Sequence, residues 1–287
     1  MQKKQIFELW ISFNLSINQI EKIILKITGL TYSQLFLDNQ IEKKYFTKIK
    51  NSFKKYKKWV PFEYLIKNSE FYWLNFYVDK RVLIPRNETE ILVYEALKQV
   101  KKEDDFILID VWTWSSCIPI SLLKKTDKTP KKTIVLDISK KALEVSQINI
   151  KNHNLQDKII SIKSNLLNYL IKNKNLIEKN TKTLIITANL PYIKNLDFEN
   201  MDSSVINFEP KIALYWGKKT WFELYEKLIN QCFKIKKLYS IEKIVLFIEI
   251  WFDQFDYCKN FLEKTWLNFE YFKDNCWIFR CFKINML

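Results

Sequence analysis

Residues 106–118 read FILIDVWTWSSCI, and this stretch decides the fold. Phe106-Ile107-Leu108-Ile109 is a short unbroken apolar run closed by Asp110, the pattern of a strand buried on both faces. Val111-Trp112-Thr113-Trp114-Ser115-Ser116 follows, and Cys117-Ile118 opens a helical apolar pattern. A buried strand turning sharply into a helix is the first unit of an open parallel sheet, whose ligands bind at the carboxyl ends of the strands. The alternation continues on both sides. A helix is expected over 88–101, before the strand at 106–111. Helix 116–125, strand 133–138, helix 139–152, strand 158–164 and strand 183–188 come next. Helix 222–235, strand 243–250, helix 253–265 and two final strands at 269–273 and 278–284 complete the series. The Asn/Lys-rich stretch 165–182 reads as a loop around one short helix. Apolar strands alternating with amphipathic helices indicate an α/β domain with a mostly parallel sheet.

Upstream the period changes. Ile17, Ile20, Ile24 and Ile27 line one helix face. Ser16 with Gln19 forms a capping-box pattern, and Gly29 is a helix stop. The lysines at 54, 55, 57 and 58 read as a solvated helix end. Residues 71–78 and 81–84 read as two strands around an Asp79-Lys80 turn, ended by Pro85. The expected organisation is a helical N-terminal domain over 1–75, a hairpin connector over 76–87 and the α/β domain over 88–287.

Length and composition fit a globular chain of about two domains. The sequence has 287 residues, 48% hydrophobic and 28% charged, which argues against disorder. No apolar run reaches the roughly 18 residues of a membrane span, since Glu249 and Asn189 break the longest candidates. Glu8 interrupts any signal-like apolar core, so a cytoplasmic address is expected. Cys117, Cys232, Cys258, Cys276 and Cys281 form no CxxC pair and have no histidine at zinc spacing, so they read as reduced thiols and no metal site is expected. The lone histidine, His153, falls late in a helix and reads as a capping cation or surface residue. The net charge of +15 has two readings. One is a basic face for an RNA-rich or acidic partner. The other is compositional bias, since Lys, Asn, Ile, Phe and Tyr crowd the chain while arginine occurs only as Arg81, Arg86 and Arg280.

Three strand ends are polar. The first is 110–116. The second is Asp137, the 20-odd residues downstream at which an acid can hold a ribose hydroxyl pair; the other reading of Asp137 is a helix-capping residue. The third is Asn189-Leu190-Pro191-Tyr192. Taken alone, this tetrapeptide reads as an ordinary strand-to-turn exit.

These segments resemble class I S-adenosylmethionine-dependent methyltransferases. More closely they resemble the HemK/PrmC family, N5-glutamine methyltransferases of peptide chain release factors. Residues 82–90 (VLIPRNETE) resemble VLIPRPETE, 110–118 (DVWTWSSCI) resemble DLGTGSGCI, and 135–143 (VLDISKKAL) resemble VDISPDAL. Residues 188–193 (ANLPYI) resemble SNPPYI, 209–217 (EPKIALYWG) resemble EPxxALxGG, and 248–254 (IEIWFDQ) resemble LEIGFDQ. The likeness runs from residue 59 to the C-terminus. It implies a Rossmann-like methyltransferase domain behind a helical substrate-binding domain. It implies that S-adenosylmethionine is held by Asp110, Trp112, Thr113, Trp114, Ser115, Ser116, Asp137, Leu166 and Asn189, with Asn165-Leu166 flanking the adenine. It implies that Asn189, Leu190, Pro191 and Tyr192 are catalytic, that these four and Ile193 bind the substrate glutamine, and that Pro85-Arg86 belongs to a loop closing over the cofactor. The partner implied is a release factor with a GGQ motif, with no membrane, no direct nucleic-acid readout and a monomeric chain. Leu190 departs from the family's proline, and NLPY is also the form in rRNA adenine N6-dimethyltransferases. An rRNA or DNA adenine methyltransferase is therefore the alternative.

Two counts are abnormal: glycine is 2 and tryptophan is 10. Ordinary usage, about 7%, would give roughly 20 glycines. Trp59, Trp73, Trp112, Trp114, Trp216, Trp221, Trp251, Trp266 and Trp277 each fall where the family has or tolerates glycine; Trp10 has no counterpart. The expectation is that UGA codons translated here as tryptophan encode glycine in the source organism. If the tryptophans are genuine, the chain is a catalytically dead paralogue. Ser116 takes the place of the third glycine as a small residue that can start a helix.

Overall fold

The computed structural model describes residues 15–37, 41–178, 180–191, 202–214 and 222–287. The chain forms two compact units, one of Met1–Asn68 with Met201–Phe208 and one of Ser69–Asn200 with Glu209–Leu287. Among the described residues no helix is long and apolar enough to cross a membrane.

The smaller unit is helical: α1 (Ile17–Thr28), α2 (Tyr32–Leu37), α3 (Lys43–Tyr56), α4 (Phe62–Ile66) and α9 (Ser203–Phe208). Helix α1 starts and stops where the sequence requires. Ser16 and Gln19 exchange backbone bonds in a capping box, and Gly29 ends the helix at φ 75°. Ile20 and Ile24 of the expected face, joined by Ile23, pack with Leu35, Ile49 and Phe53 into one apolar core, and Ile27 lies half-buried against it, while Ile17 is exposed.

The larger unit opens with β1 (Ser69–Phe71) and β2 (Leu74–Phe76), then α5 (Glu90–Val100), β3 (Phe106–Val111), α6 (Cys117–Lys124), β4 (Lys132–Asp137), α7 (Lys140–Asn152) and β5 (Ile159–Lys163). It continues with α8 (Asn168–Lys172), β6 (Thr183–Ala188), α10 (Lys211–Leu214), α11 (Glu223–Tyr239), β7 (Lys243–Glu249), α12 (Phe255–Lys264), β8 (Asn268–Lys273) and β9 (Phe279–Met286). Seven strands form one sheet in the order β5-β4-β3-β6-β7-β9-β8. Five are parallel, and β9 and β8 close the edge antiparallel. Strands β3 and β6 are buried along their whole length. This is the class I methyltransferase architecture. The chain leaves β3 toward β4 on one side, while β6 lies on the other, so the sheet reverses its order between β3 and β6. Such a switch point opens a crevice at the carboxyl ends of the strands. The pairing of Asp110 with Thr187 and Val111 with Ala188 sets the two strand exits side by side.

Two expectations are corrected. The hairpin lies earlier than its hydrophobic run suggests: Phe71 pairs with Leu74 across a two-residue Tyr72-Trp73 turn, and 77–86 form no strand. Both turn residues have positive φ, 49° and 59°, as a type I′ hairpin turn requires. Tyr77 fails to join a ladder because Asn149 takes its backbone, accepting from Tyr77 N at 2.7 Å and donating to Tyr77 O at 3.0 Å. His153 takes the expected C-cap position of α7 but not as a cation. It tucks against Phe76, bonds the Asn75 carbonyl at 3.0 Å, and burial lowers its pKa, so it is neutral at pH 7.

Loss of the capping hydroxyl costs about 1 kcal/mol. In the full chain, Ser16→Ala is therefore expected to lower amide-exchange protection across α1 by roughly fivefold while β3 and β6 keep theirs, as read by hydrogen-exchange mass spectrometry.

Candidate active site

The first exit is a tight bend. Trp112 N and Thr113 N both donate to Leu136 O, at 2.7 and 3.0 Å, and Trp114 N donates to Asp137 Oδ2 at 3.0 Å. The end of β4 thus fixes three successive backbone donors of the bend. Trp112, Trp114 and Ser116 all have left-handed φ, 68°, 49° and 62°. Ser116 is no ordinary helix start: its hydroxyl makes no cap and instead bonds the hydroxyls of Thr113 and Ser146. Ser115 is buried beside it, and its carbonyl accepts from Asn149 Nδ2 at 3.0 Å.

Two acids stand beneath the bend. Asp137 is buried, with Oδ1 accepting from Ser139 N and Oδ2 from Trp114 N. The carboxylate orders the approach to α7, but the N-cap of that helix is Ser139, whose hydroxyl accepts from Ala142 N. Asp110 accepts from Thr187 Oγ1 at 2.6 Å, and its other oxygen is buried with no hydrogen-bond partner among the described residues. Burial raises the Asp110 carboxyl to about 6 and that of Asp137 to about 7. Leu166, after β5, is buried at φ 53°, next to Asn165, whose Oδ1 is also buried without a partner among the described residues.

Asn189, at the β6 exit, is buried. Its Nδ2 donates to Glu249 Oε2 at 2.8 Å and to Thr89 Oγ1 at 3.2 Å. A carboxylate only accepts, so these partners fix which end of the amide is nitrogen. Nothing among the described residues donates to Asn189 Oδ1. Leu190 adds an N–H that the family's proline lacks, and Tyr225 absorbs it: Leu190 N donates to Tyr225 Oη at 3.1 Å, and that hydroxyl donates to the Glu249 carbonyl. Burial keeps the phenol far above its ordinary pKa, so it remains a donor. Pro191 ends the described part of this exit; Tyr192 and Ile193 lie outside the described residues.

Arg86 pairs with Glu209 at 2.5 Å, and Glu209 also accepts from Ile84 N. This ties the 82–86 segment to the start of the EPKIAL motif. Thr89, Glu209, Tyr225 and Glu249 were not singled out as site residues from sequence. The available signal was an acid closing an otherwise apolar strand, at Glu249.

The chain is 36% identical over 226 residues to the release factor glutamine methyltransferase of Mycoplasma mycoides subsp. mycoides, covering 77% of this chain and 76% of that protein. It belongs to the release factor glutamine methyltransferase family. The enzyme of that name from Clostridium botulinum is 35% identical over 61% of this chain and 59% of its own length. The one from Borreliella burgdorferi is 32% identical over 73% and 69%. No family model matches the chain. The hMettl16 catalytic domain, solved in complex with an RNA hairpin, superposes with a TM-score of 0.51 at 14% identity, over 73% of this chain and 74% of that one. It shares the fold.

S-adenosylmethionine is the cofactor of this family. The acids and the orphaned oxygens of Asp110 and Asn165 suit a polar nucleoside, but residues 112 and 114 do not. Their indoles are only 2% and 6% exposed and lie 6.0 Å apart, ring to ring. The Trp114 indole reaches across the switch point, its Nε1 pointing at Asn189 O at 3.4 Å. The crevice between the two strand exits is filled by side chain where the family has none. The chain as written does not fit the cofactor.

Two outcomes follow for the exits. The raised carboxyl groups stabilise the fold fully below pH 3.8, and that contribution is lost as pH rises through about 6 and about 7. The urea midpoint is expected to fall between pH 4 and 7, with a shallower fall in Asp110→Asn. Tyr225→Phe strands the Leu190 N–H at a cost of about 1–3 kcal/mol. Leu190→Pro removes that donor, so a double-mutant cycle in urea is expected to show a coupling of about 1 kcal/mol.

Proposed function

We infer that the protein, with glycine at 112 and 114, methylates the side-chain amide nitrogen of the GGQ glutamine in a peptide chain release factor, with S-adenosylmethionine as methyl donor. Family membership supports the reaction. The orientation of Asn189 is the observation that carries its chemistry.

An amide nitrogen is a poor nucleophile because its lone pair is delocalised into the carbonyl. Holding both hydrogens on fixed acceptors aims the nitrogen in one direction, and orientation of this kind is worth several powers of ten. Asn189 Oδ1 supplies one acceptor. Glu249 and Thr89 hold the other end of its amide, so the oxygen cannot exchange places with the nitrogen. The Leu190 carbonyl supplies the second acceptor. Pro191 biases Leu190 to an extended backbone, and Tyr225 ties down the Leu190 N–H, which otherwise competes with the substrate's own donors. No side chain need act as a strong base, because the amide proton becomes acidic once the nitrogen is alkylated.

The helical unit grips the release factor. Its α2 carries exposed Phe36 and Leu37, apolar contact points of a kind that suits a protein partner. The activity belongs in the cytoplasm, where release factors meet ribosomes.

The test uses Trp112→Gly/Trp114→Gly protein, labelled S-adenosylmethionine, a release factor and ribosomal RNA. Label is expected on the release factor glutamine. Asn189→Ala in that background is expected to lower kcat by about 100-fold or more with KM little changed. Label on RNA with an unlabelled release factor would overturn the assignment.

A further inference from the structure

Seven tryptophans lie among the described residues, and six of them have left-handed φ: Trp59 65°, Trp73 59°, Trp112 68°, Trp114 49°, Trp266 55° and Trp277 63°. Only a few per cent of non-glycine residues adopt this region, and a bulky residue there is an outlier. Only Trp251, at φ −74°, has an ordinary backbone.

The six occupy structural slots that call for glycine. Trp59 ends α3 in a Schellman motif, with Val60 N bonded to Lys55 O and Trp59 N to Tyr56 O. Trp266 follows α12 in the same left-handed way, its N–H returning to Glu263 O. Trp73 is the second residue of the type I′ turn. Trp277 closes the turn that starts at Asp274, with Trp277 N on Asp274 O and Asp274 N on Ile278 O, the site of a G1 bulge. Trp112 and Trp114 form the bend at the cofactor crevice.

Burial does not account for these side chains. Trp59, Trp73, Trp266 and Trp277 are 62%, 73%, 94% and 80% exposed. Lys125 and Lys273 approach the rings of Trp73 and Trp277 no closer than 5.6 and 5.8 Å, at the limit of a cation–π contact. An exposed indole on a left-handed backbone strains the chain and returns little packing, the edge-to-face contact of Trp73 with Tyr72 at 5.1 Å between ring centres being local to the turn.

We propose that glycine is the native residue where this sequence has tryptophan, the whole set arising from one codon that the source reads as glycine. Four exposed turns far apart in sequence need glycine for the same backbone reason as the crevice. A dead paralogue would lose glycines at its site, not at remote helix ends and hairpin turns as well. Nothing here depends on which substrate is methylated.

Two experiments test it. Trp73→Gly, Trp266→Gly and Trp277→Gly are expected each to lower the unfolding equilibrium constant of the full chain in urea by about threefold to tenfold, the left-handed cost of a side chain less the added chain entropy of glycine. Trp251→Gly is expected to give no such gain. Stability unchanged or lowered in the first three would overturn the proposal. In the second, Trp112→Gly/Trp114→Gly is expected to bind S-adenosylmethionine in a calorimetric titration while the chain as written does not. Equal binding by both would also overturn it. Cofactor binding by the double variant without methyl transfer to a release factor would leave this proposal standing and remove the substrate assignment.

Discussion

The bend that follows β3 is the constraint on which the rest of the site depends. Leu136 O and Asp137 Oδ2 hold its backbone N–H groups from the neighbouring strand exit, so it cannot rotate out of the left-handed region without losing bonds in a buried place. A bend pinned in that way tolerates no β-carbon without strain, since the left-handed conformation costs an L-residue roughly 1–2 kcal/mol. It also lies at the reversal of strand order, where the crevice must stay open for a ligand. One backbone geometry therefore sets both the stability and the ligand capacity of the larger unit.

Across the crevice the second exit is built from convergence. Asn189 from β6, Thr89 before α5, Glu249 from β7 and Tyr225 from α11 meet within hydrogen-bonding distance. Each contributes one function. Glu249 and Thr89 choose the face of the asparagine amide, and Tyr225 neutralises the extra donor that comes with Leu190. The departure from proline at 190 is thus compensated by a phenol some way along the chain, with the carbonyl that matters left in place.

The elements easiest to read from sequence are those whose cause is local. β3 and β6 fall where their unbroken apolar runs lie, and the Ser16–Gln19 box and Gly29 bound α1 because capping is a matter of neighbouring residues. The hairpin was misplaced because Tyr72-Trp73 carries no turn chemistry; a glycine at 73 would have marked it. The two exits are legible as motifs, yet Glu249 and Glu209 read only as members of motifs, with no role of their own. Their roles depend on partners up to 125 residues away, which no spacing rule reaches. The abnormal glycine and tryptophan counts were visible at once, and the backbone supplies their physical meaning.

The most direct measurement is mass-spectrometric sequencing of the peptide spanning residues 103–124 from the protein made in its own organism. The account expects glycine at both 112 and 114, leaving the bend free of side chains. Tryptophan at either site in the native peptide would contradict it.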